Sequence, residues 1–302
     1  MRFLIHLRLL LFIIWCADLS NLHAQTDFFP EYYRKNLGKL ISPDLQEISG
    51  LVASRQYPGF FWVHNDSGDQ ARIFLIDKTA QLRLTCHLEG VTAIDCEEIA
   101  WVTLDGKNLL ILADIGDNKA NRSHITLYVL EEPEFDERAL QVNISHSAIR
   151  QIKLTYPNGA KDAEALIVDP ISKKLILFSK REFRSGIYTA DFKEALQHTH
   201  ARLRKEGELD FNFVTAADIS MDGQQLLIKN LLDVYYWKLD SRRGWPASLR
   251  QPYVKLPYHA EPQGEAIGFD SNGESFYSLS ERPFGLSSYL YQYNLEKYDE
   301  YH

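Results

Sequence analysis

Five times along this chain a carboxylate opens a short apolar run, which turns and returns as a second apolar run. The openings are Glu47-Ile-Ser-Gly-Leu, Glu98-Ile-Ala-Trp-Val, Glu164-Ala-Leu-Ile-Val, Asp218-Ile-Ser-Met and Glu265-Ala-Ile-Gly-Phe. Tyr57-Pro-Gly, Asp105-Gly, Asp169-Pro, Asp222-Gly and Asn272-Gly supply the turns, which is tight-turn chemistry. The returning runs are Phe60-Phe-Trp-Val, Leu109-Leu-Ile-Leu, Leu175-Ile-Leu-Phe, Leu226-Leu-Ile and Phe276-Tyr-Ser-Leu. A third run carries an aromatic, as in Leu127-Tyr-Val, and a more polar fourth follows, as in Gln81 to His87 or Ile149 to Thr155. Runs without polar alternation are strands covered on both faces, and polar outer runs suit exposed edges.

Four antiparallel strands per unit, repeating at roughly 50 to 65 residues, predict an all-β fold, a β-propeller of four-stranded blades. The fifth unit shows three strands. Asn36 to Ile41 precedes the first unit without partners of its own and is expected to complete the last blade, closing the ring. That gives five blades with no strand left over; six is the alternative count. Phe192 to Lys205 is the one segment with helical character, and Trp62, Trp101 and Trp237 read as core.

Ahead of the repeat, Arg2 and Arg8 precede the apolar run Leu9 to Trp15, and Leu22-His-Ala offers small-residue cleavage chemistry. This predicts a signal peptide over residues 1–24, a single propeller domain over 25–302, and export to a periplasmic or extracellular location. No later run is apolar enough to insert in a membrane. Cleavage removes two arginines and one aspartate, moving the formal charge from −8 to −9. Such an acidic balance argues against nucleic acid and favours cations. Cys86 and Cys96 are the only cysteines after the leader. Export permits a disulfide between them and does not require one, so both states stay open.

In an antiparallel meander the starts of first strands share a face with the loops after second strands. Glu47, Glu98, Glu164, Asp218 and Glu265 are therefore expected to ring the mouth of the central channel, with Asp95, Glu97 and Asp162 just outside. Crowded carboxylates need a hard cation, protons or backbone N–H donors. A metal set of these five with Asp66, Asp69, Asp114 and Asp117 follows, the last four from Asp-x-Gly-Asp loops in adjacent blades, with Ca²⁺ as the candidate ion. A latch in every blade is the alternative role for the repeated carboxylates. His64, Asn65, Lys180, Arg181, Lys229 and Arg282 are the candidate ligand-binding side chains on the same face. No Gly-x-Ser-x-Gly, Walker A or His-Glu-x-x-His motif is present.

The runs Glu47-Ile-Ser-Gly-Leu, His64-Asn-Asp-Ser-Gly-Asp, Ala113-Asp-Ile-Gly-Asp-Asn, Asp162-Ala-Glu-Ala-Leu and Gln263-Gly-Glu-Ala-Ile resemble a group of exported bacterial propeller proteins without an assigned activity. That group is loosely similar to propeller phytases and phytase-related esterase-like propellers. The resemblance implies a calcium-bearing top face and carries over no catalytic residue. Three functions are expected in order. The first is a binding propeller for a small anionic ligand, a glycan or a protein. The second is a metal-dependent hydrolase of phosphate or other anionic esters, with Lys180, Arg181 and Arg282 on the phosphate. The third is a glycoside hydrolase using Glu47, Glu98 and Glu164.

Overall fold

Strand pairing closes the chain on itself. The computed structural model describes residues 33–240 and 244–295, all within one compact unit, Tyr32–His302; the expected signal peptide lies outside them. The first described strand, β1 (Arg34–Lys39), has no partner in the first blade. That blade is β2 (Ile48–Ala53), β3 (Phe60–Asn65), β4 (Arg72–Asp77) and β5 (Leu82–Leu88). The second is β6 (Cys96–Leu104), β7 (Lys107–Asp114), β8 (Ile125–Glu131) and, after β9 (Gln141–Ile144), β10 (Arg150–Thr155). The third is β11 (Ala163–Val168), β12 (Lys174–Ser179) and β13 (Gly186–Asp191), followed by helix α1 (Phe192–His198), β14 (His200–Arg202) and the outer β15 (Arg204–Glu208). The fourth is β16 (Ala216–Ile219), β17 (Gln225–Lys229), β18 (Val234–Lys238) and β19 (Val254–Leu256). The fifth is β20 (Ala266–Phe269), β21 (Ser275–Leu279) and β22 (Tyr289–Asn294), and β1 pairs antiparallel with β22 to complete it. The protein is a five-bladed β-propeller whose ring is closed by strands from both ends of the sequence.

Each hydrophobic cluster corresponds to one interface between blades, which explains why the strands lack polar alternation. In β11, Leu166 and Val168 pack toward the second blade, while Ala165 and Ile167 pack toward the fourth. All six residues of β2 and of β11 are buried. The three tryptophans are core, and the Trp62 indole donates to the Glu132 carboxylate at 2.9 Å. The Asp105-Gly106 turn has positive φ at both residues, 50° and 79°, the geometry that twisted hairpins favour.

Two features differ from the sequence expectation, and the state left open for the cysteines is decided. The helix stops at His198, because Thr199 turns left-handed (φ 59°) and the chain re-enters a sheet. Two blades carry a fifth strand: β9 adds parallel to β5, and β14 adds parallel to β10, covering those outer edges. Such short covering strands leave little periodic signal. Cys86 and Cys96 stand as free thiols buried in the same inter-blade core. Among the described residues no helix is long and apolar enough to cross a membrane.

The closing seam is tight. A Cβ on Gly268 of β20 would lie 2.7 Å from the Leu51 carbonyl oxygen of β2. Gly268→Ala is therefore expected to cost about 1–3 kcal/mol of overpacking, read as a lower urea midpoint; an unchanged midpoint would show that the seam gives way freely.

Candidate metal centre

Bulges in the inner strands decide which carboxylate reaches the mouth. In β6, Cys96 pairs with Asp114 and Glu98 with Ala113, so Glu97 is the extra residue. In β11, Ala163 pairs with Ser179 and Ala165 with Phe178, leaving Glu164 extra. Ser49 holds the same place in β2, and Glu265 immediately precedes the first paired residue of β20. A bulge re-aims its side chain, and here the result is convergence. One oxygen each of Glu97, Glu164 and Glu265 lie within 4.8 Å of one another, and so do one oxygen each of Asp66, Asp95 and Glu97. Ca²⁺ takes oxygens at about 2.3–2.6 Å, so either triad spans one ion, and Glu97 belongs to both.

The electrostatics fit this crowding. Burial first, then Glu164, Asp66 and Asp95, push the Glu97 carboxyl well above the usual range. Burial raises Asp66 to about 6, helped by Asp95, Glu265 and Glu47 and opposed by the Ser67 N–H. Burial raises Glu281 to about 7, with Glu265, Asp66 and Glu47 adding repulsion. Burial also raises Glu164, and the charge of Glu265 reinforces it against the Lys180 ammonium. Seven carboxylates thus sense one another, and Lys180 is the cation among them, ion-paired with Glu164 and 3.6 Å from Glu265. Gly116 makes the cradle: a Cβ there would lie 2.4 Å from a Glu97 oxygen and 2.5 Å from the Asp95 carboxyl carbon.

The other expected metal residues sit elsewhere. Glu98 is fully buried one residue deeper, where its carboxylate accepts the N–H groups of Ile99 and Ala217, both at 3.1 Å. Ala217 belongs to the fourth blade, so this side chain bridges the channel below the mouth. Asp218 accepts the N–H groups of Ile219 at 2.8 Å and of Phe269 in the next blade at 2.7 Å. Both are latches between blades, the role weighed against metal binding for the whole repeat. Asp69 holds Arg72 and Asn65. Asp114 accepts Arg122 at 2.8 Å and the Asp95 N–H at 3.0 Å, and Asp117 accepts the Arg122 N–H. Only Asp66 of the two Asp-x-Gly-Asp loops joins the cluster; the remaining three frame their loops.

The candidate ligand-binding side chains are also occupied. His64 is buried, its Nδ1–H donating to the Asn65 carbonyl at 2.8 Å, and burial lowers its pKa to about 4, so the ring is neutral. Asn65 holds the Asp44 carbonyl and Asp69. Arg181 pairs with Asp162 at 2.6 Å. Lys229 is buried on the Gly264 and Asn230 carbonyls, and Arg282 donates to the Ser42 carbonyl at 3.1 Å. Asp95, Glu97 and Glu281 are the members that the repeat alone leaves out of the mouth. The consecutive Asp95-Cys-Glu-Glu is the signal for two of them, and only the bulge says which glutamate turns outward.

The sequence matches no family model and no curated protein. Solved structures similar in fold include a chain of a nidogen/laminin complex, at 12% identity and TM-score 0.45, covering 80% of this chain and 74% of that one. An auxiliary nutrient binding protein from Bacteroides thetaiotaomicron is similar at 11% identity and TM-score 0.46, covering 81% of this chain and 59% of that one. Kuenenia stuttgartiensis hydrazine synthase is similar at 10% identity and TM-score 0.45, covering 83% and 96%. The chain therefore spans less than two thirds of the nutrient binding protein it resembles.

Two substitutions one residue apart should act in opposite directions. Glu98→Ala orphans the Ala217 N–H and opens a void, and is expected to cost about 2–4 kcal/mol at pH 5. Glu97→Gln removes a carboxyl whose folded pKa lies above its unfolded one. Such a group disfavours folding as pH rises through the interval between the two values. In chelator, Glu97→Gln should be more stable than wild type at pH 8, with the gap shrinking toward pH 5. Urea melts at both pH values read both signs, and two losses would contradict the assignment.

Proposed function

We propose that this chain is an exported binding propeller that takes a divalent cation, Ca²⁺ foremost, between Asp66, Asp95 and Glu97, with Glu164 and Glu265 on the other side of Glu97. The observation that carries the reading is the pair of oxygen triads sharing one glutamate. An all-carboxylate donor set suits a hard cation, and seven repelling carboxylates around one lysine gain most from added positive charge. Millimolar calcium outside the cell matches the affinities of extracellular oxygen-ligand sites.

Binding is favoured over catalysis because, among the described residues, each mouth cation expected to clamp an anion already has a partner. A phosphate ester hydrolase would need Lys180, Arg181 or Arg282 to leave its present partner. A glycosidase built on Glu98 would need that side chain to abandon the Ala217 N–H. Strand connectivity also puts the exposed apolar residues Ile41, Phe183, Phe213, Leu232, Phe284 and Leu286 on loops of the face that carries the mouth. Apolar side chains spread around a polar centre suit a bound partner more than a buried reaction chamber.

Calcium titration of the purified chain, followed by thermal melting with a chelator control, tests the proposal. Saturating Ca²⁺, at about 100 times its Kd, adds about 2.7 kcal/mol, a rise of roughly 5 °C or more for a chain of this size. Asp66→Asn and Glu97→Gln should abolish the rise, while Asp69→Asn, on the loop frame, should keep it. A flat wild-type titration would leave the carboxylates as protonated or latched groups and end the cation reading.

A further inference from the structure

Beside the mouth, against the second blade and the loop that enters it, lies a cleft of about 340 Å³. This is the size of a small-molecule site. Its floor follows from sheet register. On the second blade Gln151 pairs with Tyr128 and Lys153 with Thr126 across β10 and β8, so these four side chains share one face. The loop into β6 contributes Thr92 and Ile94, and the loop after β7 contributes Arg122 and His124. Ile94 is 59% exposed, and the Tyr128 hydroxyl donates to the Thr92 carbonyl at 2.9 Å, holding that loop over the sheet.

The charge of this cleft is opposite to that of the mouth. Arg122, His124 and Lys153 line it against a single carboxylate, Asp114, which already accepts Arg122, the Asp95 N–H and the Ile94 N–H. Both side-chain hydrogen bonds of Arg122 use Nη1, to Asp114 and to the Gly116 carbonyl. Its Nε and Nη2 have no hydrogen-bond acceptor among the described residues. That edge of a guanidinium matches two oxygens of a carboxylate or phosphate. Lys153 is exposed, and its ammonium makes no ion pair among the described residues. In a chain of net charge −8, three basic groups converging on a concave, partly apolar surface are not a random patch.

We propose that this cleft binds a small organic anion: a carboxylate or phosphate monoester seated on the Arg122 edge and Lys153, its apolar body over Ile94 and Tyr128. The site does not depend on a cation at the mouth, although Ile94 of its lining directly precedes Asp95 of the mouth. Calorimetric titration of the full chain in chelator, with benzoate and with phenyl phosphate as probes and inorganic phosphate as the body-less control, tests it. Wild type should bind at least one aryl probe saturably and more tightly than inorganic phosphate. Lys153→Glu, at an exposed position that should leave the melting temperature unchanged, should weaken binding on the order of tenfold or more. Asp66→Asn, at the mouth, should leave it unchanged. No saturable heat with either aryl probe up to roughly 10 mM would overturn the proposal. So would equal affinity in Lys153→Glu, or loss of binding in Asp66→Asn alone.

Discussion

Every blade is buried against two neighbours, and that constraint decides where charge can go. Because both faces of each sheet are largely apolar, buried carboxylates gather at strand ends, in loops and in the narrow channel where the inner strands meet. Within the channel a carboxylate has two stable options. It accepts backbone N–H groups from another blade, as Glu98 and Asp218 do, or it turns up to the mouth and meets others of its kind. The propeller frame keeps the second group together, since its members come from different blades and cannot separate without opening an interface. The repulsion is held by packing and is available to be relieved by a cation.

The bulges turn this general constraint into a particular site. One inserted residue in β6 gives adjacent glutamates opposite duties: Glu98 ties the second blade to the fourth, while Glu97 becomes common to both oxygen triads. The same device aims Glu164, and Gly116 keeps the facing loop close without filling the cradle. The proposed cation binding, channel bridging and loop framing are thus divided among carboxylates that look alike in sequence. Arg122 joins two of these roles. It anchors Asp114, whose own bonds hold the backbone of Asp95, while its other edge faces the cleft.

The fold was legible because the repeat is made of strands that cannot exist singly. Lone runs such as Leu109-Leu-Ile-Leu need cover on both sides, and the unpaired segment near Asn36 needs the three-stranded last unit. The site was legible only to the level of a face. A periodic carboxylate reads as one functional ring, whereas the structure divides that ring by a register slip of one residue that no composition or spacing encodes. Glu164 and Glu265 fall in the mouth, and Glu98 and Asp218 fall below it. Asp69, Asp114 and Asp117 read as ligands because an aspartate bonding its own loop and one bonding a metal use the same oxygen chemistry. The covering strands β9 and β14 were invisible because three or four mostly polar residues carry no period.

If a cation binds at the mouth, the carboxylates forced together there should give up protons to it. Calcium calorimetry in buffers of different ionisation enthalpy counts the protons released on binding. Net release is expected near pH 6, where Asp66 and Glu281 are partly protonated. Release should decline as pH rises, while affinity rises with it. Calcium binding with no proton release near pH 6, or no calcium binding at any pH between 6 and 9, would contradict the proposed cation site.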